Sequence, residues 1–436
     1  MITLGIVACS ASLSSTTSST PTTNSGSSGP TCDGATFTTT SYTAQGTVGA
    51  TPNAVTITVN GSTCGPAAYQ ALNEPCASVT ICSITSPTTC QTINNLLVDT
   101  GSYGLRIFSS VINSNIALAP IVNGTSNLAE CVQFGDGSSM WGQVEYAYVQ
   151  LGSEQKVAVP IQVVNSSYAT APGPCTSSQS YPATDPASNG FNGILGVGLF
   201  PQDCGSSCLT QPRLGQYYTC VGSDCSCGAS VPLGAQVANV VSAMTQDNNG
   251  IVMSLPSVIS SAGVGALTGT MYLGIDTQTN NISTGYTKYR ADGYGQFTTT
   301  FSGYSSTAMA SFIDSGSNGL FFPAPTSGSL PDCSGVYGAT YAGLFCPTNE
   351  VTLTATNTSY LSSNPGPAVT FYVDNAYTIA NSSLKVWRGF GGNALGSGTS
   401  TPTFDWGLPF FFGRKVFVGI YGTTSTNLGA GPYWAY

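Results

Sequence analysis

Histidine is absent from this 436-residue sequence. That excludes Ser-His-Asp and Cys-His catalysis and the usual zinc ligation by imidazole. A hydrolase built on this chain must use carboxylates or a less common nucleophile. Charge is scarce as well. Only 6% of the residues are charged, nine basic against eighteen acidic, and the formal net charge is −9. An acidic, lightly charged surface offers little to nucleic acid or anionic lipid, so neither is expected as a partner. Beyond its first residues the chain has no apolar run of the roughly 18 residues that a membrane-spanning helix needs. Turn-forming residues are plentiful instead. The 52 Gly and 25 Pro, among many Ser, Thr and Asn, read as short strands joined by many turns. With 41% hydrophobic residues the chain can bury sizeable cores, and its length fits two or three domains. The expected class is mostly β.

Fifteen cysteines point to an oxidising compartment. Cys9 stands apart from the others. It ends the apolar segment Met1 to Ala8, and Ile6-Val7-Ala8-Cys9 resembles a bacterial lipoprotein processing box. The segment is shorter than a full signal peptide and carries no Lys or Arg, as a truncated start would leave it. Cys9 is accordingly the candidate lipidation site. The alternative is a chance Ala-Cys near a misassigned start. The chain is expected outside the cytoplasm, secreted or held at a membrane surface by that lipid alone. The remaining fourteen cysteines permit seven disulfides whose connectivity spacing does not give. Cys333 and Cys346 flank one Gly/Tyr-rich loop and are the expected local pair.

Four segments follow from composition and pattern: a signal remnant over 1–9, a disordered Ser/Thr-rich tether over 10–34, a first lobe over 35–245 and a second over 246–436. The runs at Ala54 to Val59 and Ala77 to Ile84 are rich in β-branched residues and read as strands. The second is expected to form a hairpin with Ile93 to Asp99. Another hairpin is expected over Cys131 to Gly152, with its tip at Gly135-Asp136-Gly137-Ser138. Phe191 to Gly198 reads as an apolar, Gly-punctuated strand. Residues 203 to 228 read as a disulfide-stapled insertion, and Gln236 to Thr245 as a helix. The later runs Gly269 to Ile275, Gly293 to Phe301 and Ala308 to Asp314 read as strands. Phe404 to Ile420 parallels the earlier Gly-punctuated strand. An Asp turn followed by an apolar Gly strand thus occurs twice, which is a duplication of a whole lobe rather than a short repeat.

The Asp turns read Leu96-Leu97-Val98-Asp99-Thr100-Gly101-Ser102 and Phe312-Ile313-Asp314-Ser315-Gly316-Ser317. In each, an apolar run delivers one carboxylate to a tight turn, followed by a hydroxyl, a glycine and a second hydroxyl. Two such turns can set two carboxyl groups face to face. A pair of that kind resists double ionisation, so one member keeps a proton and the other loses it, giving an acid and a base around one water. Asp-Ser/Thr-Gly is also ordinary turn chemistry; two matched copies carry the weight.

In these motifs the chain resembles the pepsin-type aspartic peptidases over roughly residues 50 to 425. The family's apolar-apolar-Asp-Thr/Ser-Gly-Ser/Thr turn matches both Asp turns. Its flap hairpin matches Phe134-Gly135-Asp136-Gly137-Ser138. Its apolar-Gly strands match Ile194-Leu195-Gly196 and, less closely, Trp406-Gly407-Leu408. The resemblance implies a mostly β, bilobal pepsin-like fold with a cleft between two barrel-like lobes. It implies Asp99 and Asp314 as the catalytic pair. Thr100 and Ser315 would tie the two loops together, Ser102 and Ser317 would bond the outer carboxylate oxygens, and Gly101 and Gly316 would allow close approach. The chain is similar, more closely, to a group of bacterial secreted proteins known as a domain of unknown function, which share the Val-Asp-Thr-Gly-Ser-Tyr-Gly-Leu-Arg run and the Phe-Gly-Asp-Gly hairpin.

The implied activity is an acid endopeptidase that takes polypeptide in extended form, needs neither metal nor cofactor, and works as a monomer. Two positions depart from the family. A flap tyrosine is replaced by Phe134, and its tryptophan partner by Arg106. Either the flap closes through Trp141 or Tyr103, or turnover is weak or lost and the chain is a surface binding or scaffold lipoprotein. Arg106 could equally be a solvated surface cation. Residues 1 to 98 hold no Lys or Arg, so a basic inhibitory prosegment is not expected among them. Asp136 is expected as a turn residue more than as a cleft contact, and Phe410-Phe411-Phe412 as buried strand core. A carboxylate-pair glycosidase would hold its acids about 5 to 9.5 Å apart, whereas matched tight turns point to a closer pair.

Overall fold

A computed structural model describes residues 37–49, 53–65, 71–176, 181–210, 216–259, 261–301, 304–325, 327–394 and 402–436. The segments 1–9 and 10–34, with Cys9, lie outside them.

The first half builds its Asp turn from three strands. Pro75–Cys82 and Cys90–Asp99 form the expected antiparallel hairpin, clamped at its loop end by the Cys82–Cys90 disulfide. After the turn the chain returns along Tyr103–Phe108. Gly193–Val197 then inserts between the two, parallel to Cys90–Asp99 and antiparallel to Tyr103–Phe108. The second half repeats this arrangement. Ser305–Ile313 leads into the second Asp turn, and Leu320–Phe321 leaves it. Thr403–Trp406 lies between them, parallel to the first and antiparallel to the second. The glycine closing each inserted strand is a matter of space. A Cβ on Gly196 would come within 2.8 Å of Tyr103 backbone, and one on Gly407 within 2.9 Å of the Gly319 carbonyl carbon. Crossing strands can approach this closely only without a side chain.

The halves share a sheet. Ala54–Val59 pairs antiparallel with Leu267–Leu273, which pairs with Gly250–Ser254. That strand pairs with Lys415–Gly419, and Tyr433–Ala435 and Lys288–Arg290 continue the sheet. Alternating β-branched residues bury one face of these strands, as Val55, Ile57 and Val59 do. The chain therefore adopts the expected mostly β, two-lobed pepsin-like architecture. The lobes differ in core chemistry. On the Val98 face of the first Asp strand the buried neighbours include the aliphatic Leu105, Ile107 and Leu195. Behind the second they are aromatic: Phe322 stacks on Phe404 at 5.0 Å, and Phe404 on Trp406 at 4.2 Å.

Two expected elements are corrected. Gln236 to Thr245 is not an α-helix; it holds one 3-10 turn, Val240–Ala243. Its backbone donors are taken from outside, Ala238 N by Pro160 O and Asn239 N by Pro201 O, so no intrahelical ladder forms. Phe404 to Ile420 is not a continuous strand. It is interrupted by the 3-10 turn Leu408–Phe411, where Pro409 lacks the donor a strand needs. Phe410, Phe411 and Phe412 are buried as expected, in and just after this turn. Residues 203 to 228 carry the disulfides Cys204–Cys208 and Cys220–Cys225. Their hairpin joins the first-lobe sheet through Tyr217–Val221 and Ser126–Gln133. Cys64–Cys76, Cys131–Cys175 and the expected Cys333–Cys346 are also bonded, and Cys227 is disulfide-bonded too. Crosslinking on this scale belongs to an oxidising environment.

Candidate active site

The two Asp turns meet and are bonded to each other reciprocally. Thr100 Oγ1 donates to Ile313 O at 2.8 Å, and Ser315 Oγ donates to Val98 O at 2.6 Å. Each oxygen also accepts from the other turn: Ser315 N donates to Thr100 Oγ1 at 2.9 Å, and Thr100 N to Ser315 Oγ at 3.1 Å. Four bonds thus tie two loops from different halves, and all six residues at the hydroxyl and carboxyl positions are buried.

The grip sets the carboxyls together. Within each turn the glycine N–H donates to the Asp Oδ1, Gly101 to Asp99 and Gly316 to Asp314, both at 2.8 Å. The second hydroxyl bonds the outer oxygen: Ser102 Oγ donates to Asp99 Oδ2, and Ser317 Oγ lies 2.8 Å from Asp314 Oδ2. Gly316 lies against both acids. A Cβ there would stand 2.7 Å from Asp99 Oδ1 and 3.1 Å from Asp314 Oδ1, so any side chain would displace the pair. Burial, then the charge of Asp314 and the bond to it, pushes the Asp99 carboxyl well above the usual range, with Ser102 and Gly101 pulling back. Burial also raises Asp314, but its bonds from Asp99, Ser317 and Gly316 oppose the rise. Both carboxyls are thus held toward the protonated form, and the titration belongs to the pair.

The carboxyls themselves do not reach the surface. Asp99 and Asp314 are each 0% exposed. The flap residues form the expected hairpin tip. Phe134 N donates to Ser138 O, Gly137 N donates to Phe134 O, and Gly135 to Ser138 span the turn. Asp136 is the turn residue, accepting from Ser138 N at 2.8 Å and Ser138 Oγ at 2.7 Å. Phe134 is buried with Leu97, Phe108 and Ile194, against the strand that carries Asp99. Trp141 does not close the flap. Its Nε1 donates to Tyr168 O at 2.6 Å, in a cluster around the Cys131–Cys175 disulfide. Tyr103 does lie near the pair, since burial and then the charges of Asp99 and Asp314 raise its phenol.

Arg106 is no solvated cation. It is 1% exposed, and its Nη2 bonds Glu130 Oε1 at 3.0 Å and Asp203 Oδ2 at 2.9 Å. Tyr217 Oη donates to Asp203 Oδ1 at 2.6 Å, and Arg106 Nη1 donates to Tyr103 O at 2.6 Å. Burial alone would lower the guanidinium, but Glu130 and Asp203 hold it above its ordinary value. The cluster supports the first Asp turn from behind, through the carbonyl of Tyr103. Glu130, Asp203 and Tyr217 carried no local signal in the sequence. Neither did Asp405, whose Oδ2 lies 2.6 Å from Ser317 Oγ.

Residues 49–436 match the model of the family described as "Protein of unknown function (DUF3443)". The chain belongs to that family. For this DUF3443 protein a comparison with curated proteins finds no match. Among solved structures it is similar to an aspartic proteinase from Irpex lacteus, with 16% identity over 88% of this chain and 96% of that one and a TM-score of 0.46. At that score the likeness adds nothing to what the strand topology shows by itself.

Proposed function

We propose that this DUF3443 protein is an aspartic endopeptidase, secreted or held by a lipid on Cys9, acting as a monomer on polypeptide in extended form. The observation that carries this reading is the reciprocal bonding of the two Asp turns, which holds Asp99 and Asp314 against one glycine. A water between the carboxyls would lose a proton to Asp314 as its oxygen attacks the scissile carbonyl carbon. Asp99 would give its proton to the carbonyl oxygen, forming a neutral tetrahedral diol. Proton transfer to the nitrogen then lets the C–N bond break. The chemistry needs no cofactor.

A second reading, a binding or scaffold protein without turnover, is favoured by the burial of both carboxyls and by the replacement of the flap's tyrosine and its partner by Phe134 and Arg106. The test is cleavage of a denatured mixed protein substrate by the wild type from pH 2 to 7, read by mass spectrometry of the products. Cleavage confined to acid supports the peptidase. No cleavage by correctly folded protein across the range transfers the assignment to the second reading.

A further inference from the structure

Where the first half has Ile194 beside Leu97, the second half has Asp405 beside Phe312. That exchange brings a third carboxyl to the dyad. Asp405 lies on Thr403–Trp406, between Ser305–Ile313 and Leu320–Phe321, and is 4% exposed. Its Oδ2 is 2.6 Å from Ser317 Oγ, and the same Oγ is 2.8 Å from Asp314 Oδ2. Its Oδ1 is buried without a hydrogen-bond partner.

A hydroxyl carries one proton. Ser317 can therefore donate to one of the two carboxyls. Its contact with the other is a hydrogen bond only if that carboxyl is protonated and donates to Oγ. Asp314 already accepts from Gly316 N through Oδ1. Asp405 has no second donor, so its ionised form would leave an unsolvated oxygen beside another carboxylate, a costly arrangement.

We propose that Asp405 is a positioning residue: it stays protonated, donates from Oδ2 to Ser317 Oγ, and so directs the Ser317 proton onto Asp314, fixing Asp314 as the charged member of the pair. Burial and then the charge of Asp314 raise the Asp405 carboxyl, against the Ser317 bond, which agrees. Asp314 is the titratable group that acts on it, and neither flanking strand nor the second Asp turn carries a Lys or Arg. The kinetic consequence rests on the peptidase reading; the protonation state does not.

The test separates the two. Full-length protein carrying carboxyl-¹³C aspartate is titrated by NMR, the Asp405 resonance being the one missing from Asp405→Asn. It is expected at its protonated position up to about pH 6, where an ordinary Asp has ionised. In the peptidase assay Asp405→Asn, which keeps a neutral donor, should leave the acid limb of the kcat/KM profile in place. Asp405→Ile, which copies the first half, should move that limb up by about half a pH unit or more, because Ser317 still faces Asp314 but loses the donor that polarises its hydroxyl toward it. An Asp405 resonance that ionises below about pH 5 overturns the proposal. So does an acid limb that moves to lower pH in Asp405→Asn, the result of removing a charge. If the wild type cleaves nothing, the peptidase reading fails and the NMR titration still decides the protonation of Asp405. If Asp405→Ile does not fold, the Asn variant and the titration carry the test.

Discussion

The two Asp turns use the same bonds and stand on different supports. Behind the first, a buried cation with two acids and a tyrosine reaches the turn through the Tyr103 carbonyl. Beside the second, aromatic rings pack the inserted strand and a third acid reaches the turn through Ser317. The first turn is thus braced by charge pairs that leave its own hydroxyl, Ser102, to serve Asp99. The second turn's hydroxyl is shared. A duplicated lobe can keep the geometry of the reacting groups while the layer behind them diverges.

The largest difference should follow from Arg106→Met. It leaves Glu130 and Asp203 buried without their cation and has no equivalent in the second half. We expect a loss of about 3–5 kcal/mol, measured by denaturant unfolding. Breaking the grip should cost less and treat the halves alike. Thr100→Val and Ser315→Ala each remove two cross-lobe bonds and should each cost about 1–3 kcal/mol. Their effects should not add in the double variant, since both side chains clamp the same two loops, each bonding backbone of the opposite turn.

The smallest effect is the pH dependence of stability. Burial raises Glu74 to about 8 and Glu145 to about 7, and burial followed by the nearby Glu350 raises Asp374 to about 6. A carboxyl whose folded value lies above its unfolded one stabilises fully below the unfolded value and loses that contribution as pH rises. The melting temperature should therefore fall between about pH 4 and 8. Asp185 and Asp224, lowered by backbone bonds, work the other way but stand exposed and count for little. Glu74→Gln should flatten the decline, and an unchanged slope would remove Glu74 from the account.

Much of the architecture was legible in the sequence because its signals are local. An Asp turn needs its hydroxyls and glycine within four residues, and β-branched alternation marks a strand without reference to the rest of the chain. What was not legible depends on register. Arg106 looks like a surface cation in any short window, since its partners stand 24 and 97 residues away. Asp405 sits in a run that reads as strand core, and only the pairing of Thr403–Trp406 with Ser305–Ile313 turns it toward Ser317. The apolar spacing at 236–245 suggests a helix, but the backbone donors there had already been claimed by Pro160 and Pro201. Nor does composition disclose that the dyad is buried.

The central claim is that the two halves contribute one carboxyl each to a single proton-sharing pair. It is tested most directly by comparing Asp99→Asn and Asp314→Asn with the wild type in the acid cleavage assay, each variant checked for native melting. The account predicts that either substitution alone abolishes cleavage at every pH from 2 to 7. Cleavage that survives in either folded variant would contradict it.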